Sequence, residues 1–105
     1  MHHVVFLCKK KAGMSQQAFT DYWIDRHTPL TAKTPGVVGY RCYPMTGHPG
    51  VEPPFEAVAI LSFVDRAAHD AAMVSPEFQA ALADAPNFQT PEETVAFWAT
   101  EHVIV

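Results

Sequence analysis

Apolar and polar positions alternate along four stretches of the chain and recur at helical spacing along two others. Residues 3–10 carry the apolar, β-branched run Val4-Val5-Phe6-Leu7-Cys8, and this predicts a central strand. Lys11-Ala12-Gly13 supplies a turn, after which Ser15 stands as an N-cap with Met14 and Phe19 at the two positions of a hydrophobic staple. A helix is predicted over 16–27. Thr28-Pro29 breaks it, Pro29 opens a further turn as far as Lys33, and Pro35-Gly36 ends that turn. Val37 to Tyr43 reads as a second strand, with Tyr40 and Cys42 on one face and Arg41 and Tyr43 on the other. The stretch from Pro44 to Pro54, rich in proline and glycine, is a loop. Phe55 to Val64 is the clearest strand: Phe55, Ala57, Ala59, Leu61 and Phe63 share one face, and Glu56, Val58, Ile60, Ser62 and Val64 the other. Asp65 caps a second helix over 66–83 with an apolar stripe of Ala68, Ala71, Phe78 and Leu82, and Ser75-Pro76 restarts it under a new cap. Ala85 to Pro91 connects to a last strand, Val95 to Val105.

The order β-α-β-β-α-β over 1–105 is that of a single α+β domain: two right-handed crossovers around a hairpin give a four-stranded antiparallel sheet with both helices on one face, the ferredoxin-like arrangement. Strand 1 then lies between strands 3 and 4, and strand 2 is an edge. Helices cover one face only, yet strands 1, 3 and 4 are apolar on both. Leaving the second face in water is unfavourable by roughly 25 cal/mol per Å², so a homodimer packed through its sheet faces is expected.

Composition narrows the field. The net charge of -4 and a basic run of only Lys9, Lys10 and Lys11 argue against a nucleic-acid partner. No stretch has the length of a membrane span, and the N-terminal charge follows its short apolar run, the wrong order for a signal peptide; a cytoplasmic protein is expected. Cys8 and Cys42 fall on strands that are not neighbours, which suits two reduced thiols, neither a strong nucleophile candidate.

The candidate chemistry lies in F-x-x-Y-W-x-x-x-H-x-P-L. Phe19, Trp23 and His27 succeed one another at i, i+4 and share one inward face, so His27 stands near apolar walls beside the end that Pro29 forces. There it is a candidate general base for a proton α to a carbonyl. Tyr40, and with it Tyr22, are candidate anchors for a carbonyl or developing enolate, with Phe19 and Trp23 as wall or core. The small pair Ala57 and Ala59 leaves room for a ligand or for the Trp23 ring. Asp65 and His69 offer a second acid/base, but His69 lies off the apolar stripe and is expected to be exposed. No metal site is expected: no histidine pair has helical ligand spacing, and Glu101 and His102 on the last strand would face opposite ways. There is no glycine-rich phosphate loop and no nucleophile elbow.

These residues resemble the EthD-like members of the dimeric α+β barrel superfamily. The likeness rests on G-M-S opening the helix, F-x-x-Y-W-x-x-x-H-x-P-L, P-G-x-x-x-Y into strand 2, a Pro-Glu dipeptide in the second helical region and a final E-H-V-I-V. It implies a dimer whose sheets form a barrel, with a pocket in each subunit between sheet and helices. The superfamily includes muconolactone-type isomerases, polyketide cyclases, cofactor-free monooxygenases and haem-degrading enzymes. The resemblance to its lactone-isomerising members implies roles for His27 and Tyr40. Those relatives also use a strand-3 cysteine as proton donor, and Leu61 stands at that position here. The leading expectation is a cofactor-independent isomerase, cyclase or related proton-transfer enzyme on a small hydrophobic carbonyl compound, with Leu61 in the substrate wall. The alternatives are a non-catalytic binding or accessory protein of a degradation pathway, and a cofactor-free or haem-dependent oxygenase.

Overall fold

The computed structural model describes residues 1–105. Ser15 adopts an extended backbone and its hydroxyl accepts from the Ala18 N–H at 3.1 Å, which starts α1 (Gln16–Tyr22), while Met14 packs against the core cluster to which Phe19 belongs. Beyond Tyr22 the helix widens. Trp23–His27 is one π turn, in which the Thr28 N–H reaches back five residues to the Trp23 carbonyl. Pro29 explains it: its ring has no N–H to offer and crowds the preceding turn, so the ladder skips a residue before α2 (Thr28–Ala32) resumes. The Thr28 hydroxyl takes up the stranded Ile24 carbonyl at 2.6 Å. The helix expected to run unbroken over 16–27 therefore carries this π turn at its functional end. Gly36, at φ +84, reverses the chain after Pro35.

The sheet comprises β1 (His2–Cys8), β2 (Gly39–Pro44), β3 (Ala57–Phe63) and β4 (Val95–Ala99), in the spatial order β2-β3-β1-β4 and antiparallel throughout. Val5 pairs with Ile60 on one side and Phe97 on the other. Cys8 and Cys42 pair with Ala57 and Ala59 of the intervening strand and are both free. β4 stops at Ala99, so the last strand is shorter than the expected 95–105, and Glu101 and His102 lie beyond it.

Two helices stand where one interrupted helix was expected. Asp65 caps α3 (Arg66–Met73) through the Ala68 N–H at 2.8 Å. Ser75 accepts from the Phe78 N–H at 3.2 Å to start α4 (Pro76–Asp84) and donates its own proton to the Ala72 carbonyl. The buried faces are His69 and Ala72, then Phe78, Ala81 and Ala85; Ala71 and Leu82 are exposed. That corrects the expected stripe, and it corrects His69, which is buried.

The helices lie over the β3 face of Ala57, Ala59, Leu61 and Phe63, all buried. Two core clusters result. One gathers Cys8, Phe19, Trp23, Ala57, Ala59 and Phe88; the other holds Val4, Leu61, Phe63, Ala72 and Phe78. Phe6 and Tyr40 touch both. The opposite sheet face has no covering layer: Val5, Leu7, Val58 and Ile60 are only half-buried, and Tyr43, Val95 and Phe97 are exposed. No helix is long and apolar enough to cross a membrane.

Candidate functional site

A cavity of about 350 Å³ lies between the sheet and the helices. Its floor is Phe6, Cys8, Tyr40, Ala59, Leu61 and Ala96 of the strands; Trp23, His27 and Thr31 come from the π turn and α2, and Phe78, Ala81 and Ala85 from α4 and the turn after it. The size suits a small organic molecule, and the lining is mostly carbon.

His27 sits at the wall of this space, 8% exposed. Its Nδ1 lies 2.9 Å from Asp84 Oδ2, and its Nε2 lies 3.2 Å from Thr31 Oγ1, a side chain that also lines the cavity. Phe88 packs against the imidazole with ring centroids 4.7 Å apart. Asp84 is held by three donors: besides His27, the Tyr22 hydroxyl donates at 2.7 Å and the Asn87 amide at 3.0 Å, both to Oδ1.

The electrostatics follow. Burial pushes the Asp84 carboxyl up, but hydrogen bonds from Tyr22, His27 and Asn87 outweigh it and hold the group below the usual carboxylate range. An ionised Asp84 makes Nδ1 the protonated nitrogen, which leaves Nε2 as the acceptor, to which the Thr31 hydroxyl donates at the edge of the cavity. Burial lowers the His27 pKa from its ordinary value and Asp84 only partly restores it, so the ring is neutral at pH 7. It is a base with its proton-accepting atom turned away from bulk water.

Other groups in the wall stay protonated. Burial raises the Tyr40 phenol, with Cys42 acting in the same direction and Thr31 and Trp23 against it. Burial pushes the Cys8 thiol up to about 12, so it is a neutral S–H.

Of the residues singled out from the sequence, His27, Tyr40, Trp23, Ala59 and Leu61 meet at the cavity. Phe19, Ala57 and Tyr22 do not. Phe19 and Ala57 are wholly buried in the core beneath it, and Tyr22 spends its hydroxyl on Asp84. Asp65 is a helix cap and His69 belongs to a different cluster. Asp84 went unread in the sequence. A carboxylate in the last turn of a helix opposes the macrodipole, and α4 has no basic residue there to offset it; that misplaced charge was the available signal. Gln89 and Thr94, two further polar lining residues, were also missed. No group of three or more His, Cys, Asp or Glu side chains is gathered in metal-binding fashion.

Comparison with known proteins places the fold. The chain is similar to a crystal structure of an ethyl tert-butyl ether D (EthD) family protein from Bacillus halodurans C-125, at TM-score 0.83 and 24% identity over 97% of this chain and 99% of that one. It is similar in fold to a dimeric ferredoxin-like protein of unknown function from Thermobifida fusca YX (TM-score 0.72, 16% identity, 95% and 90% covered). A cofactor-independent oxygenase from Streptomyces nogalater, SnoaB, is likewise similar (TM-score 0.64, 17% identity, 98% and 96% covered). In sequence it is 33% identical over 90 residues, 83% of this chain and 84% of the relative, to an uncharacterised 11.0 kDa protein of the thcB-thcC intergenic region of Rhodococcus erythropolis. The EthD domain model matches residues 11–92, a span that takes in the whole π turn, its histidine and the aspartate that holds it; the chain belongs to the EthD domain family.

Proposed function

We propose that the protein is a cofactor-independent acid/base enzyme that moves a proton on a small hydrophobic carbonyl compound. The observation that carries this reading is a buried, neutral imidazole whose Nδ1 is tied to an ionised Asp84 while Nε2 lies at an apolar cavity. The Thr31 hydroxyl turns aside, and the freed Nε2 takes a proton from the carbon α to the carbonyl. The C–H electron pair shifts into an enolate, whose oxygen Tyr40 stabilises by donating its phenolic hydrogen bond. Asp84 offsets the charge of the imidazolium, which then returns the proton to the same carbon or, in an isomerisation, to a conjugated one. Burial by itself disfavours the imidazolium, so the step leans on Asp84 and Tyr40, whose interactions with the developing charges are stronger beside an apolar lining than in open water.

Deuterium exchange tests this without knowing the natural substrate. 2-Tetralone, a small apolar ketone, is incubated with the protein in D2O and its α-hydrogens are followed by NMR. Acceleration that disappears in His27→Ala supports the reading. A wild type that binds the ketone and leaves its exchange rate at the buffer value overturns it in favour of a carrier or accessory role.

The likeness to a cofactor-independent oxygenase supports a second outcome for the same carbanion, attack on dioxygen. Oxygen uptake during the incubation separates it from simple reprotonation. The uncovered apolar sheet face, together with the dimeric ferredoxin-like relative, supports pairing of two copies through that face; sedimentation at micromolar concentration checks it.

A further inference from the structure

The cavity holds a second polar centre that the acid/base step leaves unused. Gln89 and Thr94 line it from the segment that joins α4 to β4, whereas His27 reaches it from the π turn. The Gln89 main chain is fixed: its N–H bonds to the Ala85 carbonyl at 2.8 Å, and it forms an isolated bridge to Lys10, two residues beyond β1. The side chain is oriented too. Thr94 Oγ1 donates to Gln89 Oε1 at 3.2 Å, with a longer contact of 3.4 Å to the Thr90 carbonyl. The amide oxygen thereby accepts one bond, and the Gln89 Nε2, still open to solvent, donates to no group of the chain.

A carboxamide donor free at the wall of a mostly carbon cavity needs an acceptor once water leaves. No lysine or arginine lines the space, so a carboxylate brought there would have no counter-charge. A neutral oxygen would meet no such penalty. We propose that Gln89, oriented by Thr94, binds a neutral carbonyl-type oxygen of the ligand, which makes the substrate class bifunctional: an apolar body, one end presented to His27 and a second ketone, ester or lactone oxygen held by Gln89. The first end rests on the reading of His27 given above; the second stands on the cavity and the Gln89–Thr94 contact.

Calorimetry with three probes tests it. 2-Naphthol offers a hydroxyl alone, 6-acetyl-2-naphthol adds a neutral carbonyl, and 6-hydroxy-2-naphthoate adds a carboxylate. On the wild type the acetyl group tightens Kd about tenfold, as one well-formed neutral hydrogen bond allows, and the carboxylate does not. Gln89→Leu, close in volume, erases the acetyl gain while 2-naphthol keeps its Kd within about twofold, which also shows that the variant is folded. Thr94→Val frees the amide to turn and cuts the gain to about threefold. An acetyl gain that survives Gln89→Leu, or a carboxylate that binds as tightly as the ketone, overturns the subsite. If neither naphthol binds the wild type, subsite and cavity reading fall together. An intact acetyl gain in a protein that never exchanges 2-tetralone supports the subsite and removes only the acid/base step.

Discussion

The protein buries two histidines beside aspartates, and they are not equivalent. His27 and His69 are 8% and 7% exposed, with Nδ1 2.9 Å from Asp84 and 2.8 Å from Asp70. The difference lies in what surrounds each pair. The Asp84 side chain is 14% exposed and accepts from Tyr22 and Asn87 as well, whereas that of Asp70, next in sequence to its histidine, is 55% exposed and shared with Arg66. His27 borders a cavity. His69 is packed among rings, with His2 at 4.6 Å, Phe63 at 5.5 Å and Trp98 at 5.6 Å, and does not line that cavity. A histidine–aspartate contact is thus a structural motif by default. It becomes a candidate for chemistry when the carboxylate is sequestered and the far nitrogen has somewhere to deliver a proton.

Substitution of the two rings is the sharpest way to break this contrast. His27→Ala should lower 2-tetralone exchange about 10²- to 10⁴-fold with an unchanged circular dichroism spectrum. His69→Ala should leave exchange within about twofold, since its ring lies outside the cavity. Equal losses in the two variants would erase the distinction. Stability should not separate the two: emptying the ring-packed site of His69 should cost about 2 kcal/mol in urea denaturation, and His27→Ala, which also empties a buried ring site, a similar amount.

The carboxylates sharpen the comparison next. Asp84→Asn should slow exchange about tenfold, while Asp70→Asn should leave it unchanged. The pH profile adds a direction. Because burial lowers the His27 pKa, the acid limb of exchange should fall below the ordinary imidazole value of 6.5. Asp84 pulls that pKa upward, so Asp84→Asn should move the limb to still lower pH. A limb that moved upward would contradict the pairing.

Stability has its own sign. His27 and Asp84 both titrate below their ordinary values of 6.5 and 3.8 in the fold, so each contributes stability above its ordinary pKa. That contribution is lost as pH falls from there through the depressed folded value. Thermal denaturation should therefore soften first below pH 6.5 and again below 3.8, and the first step should be smaller in His27→Ala, with His2, whose pKa is lowered too, supplying the remainder. The smallest effect expected is that of Tyr22→Phe, which removes one of three donors to Asp84 and should slow exchange about two- to threefold.

Much of this site was legible in the chain. The i, i+4 succession of Phe19, Trp23 and His27 placed the imidazole on a buried face, and the alternation of β3 sorted its residues into two faces without saying which one the helices cover. What stayed hidden has physical causes. Asp84 meets His27 across 57 residues, a contact that no local pattern encodes. The π turn depends on how the ladder absorbs Pro29, which spacing alone does not specify. The burial of His69 was not legible because half of Arg66–Met73 is alanine, whose weak burial preference leaves the phase of the helix undetermined. Tertiary packing turned it by one residue, towards His69 and Ala72.

The cavity floor is only one peptide layer thick. Along β1 and β3, Phe6, Ala59 and Leu61 point into the chamber, while their immediate neighbours Val5, Val58 and Ile60 point out through the other side. Ligand shape and external surface are thus written in alternate letters of the same two strands. An engineer could recarve the chamber at Phe6, Ala59 or Leu61 and leave the exterior untouched, or recast the exterior without altering what fits inside.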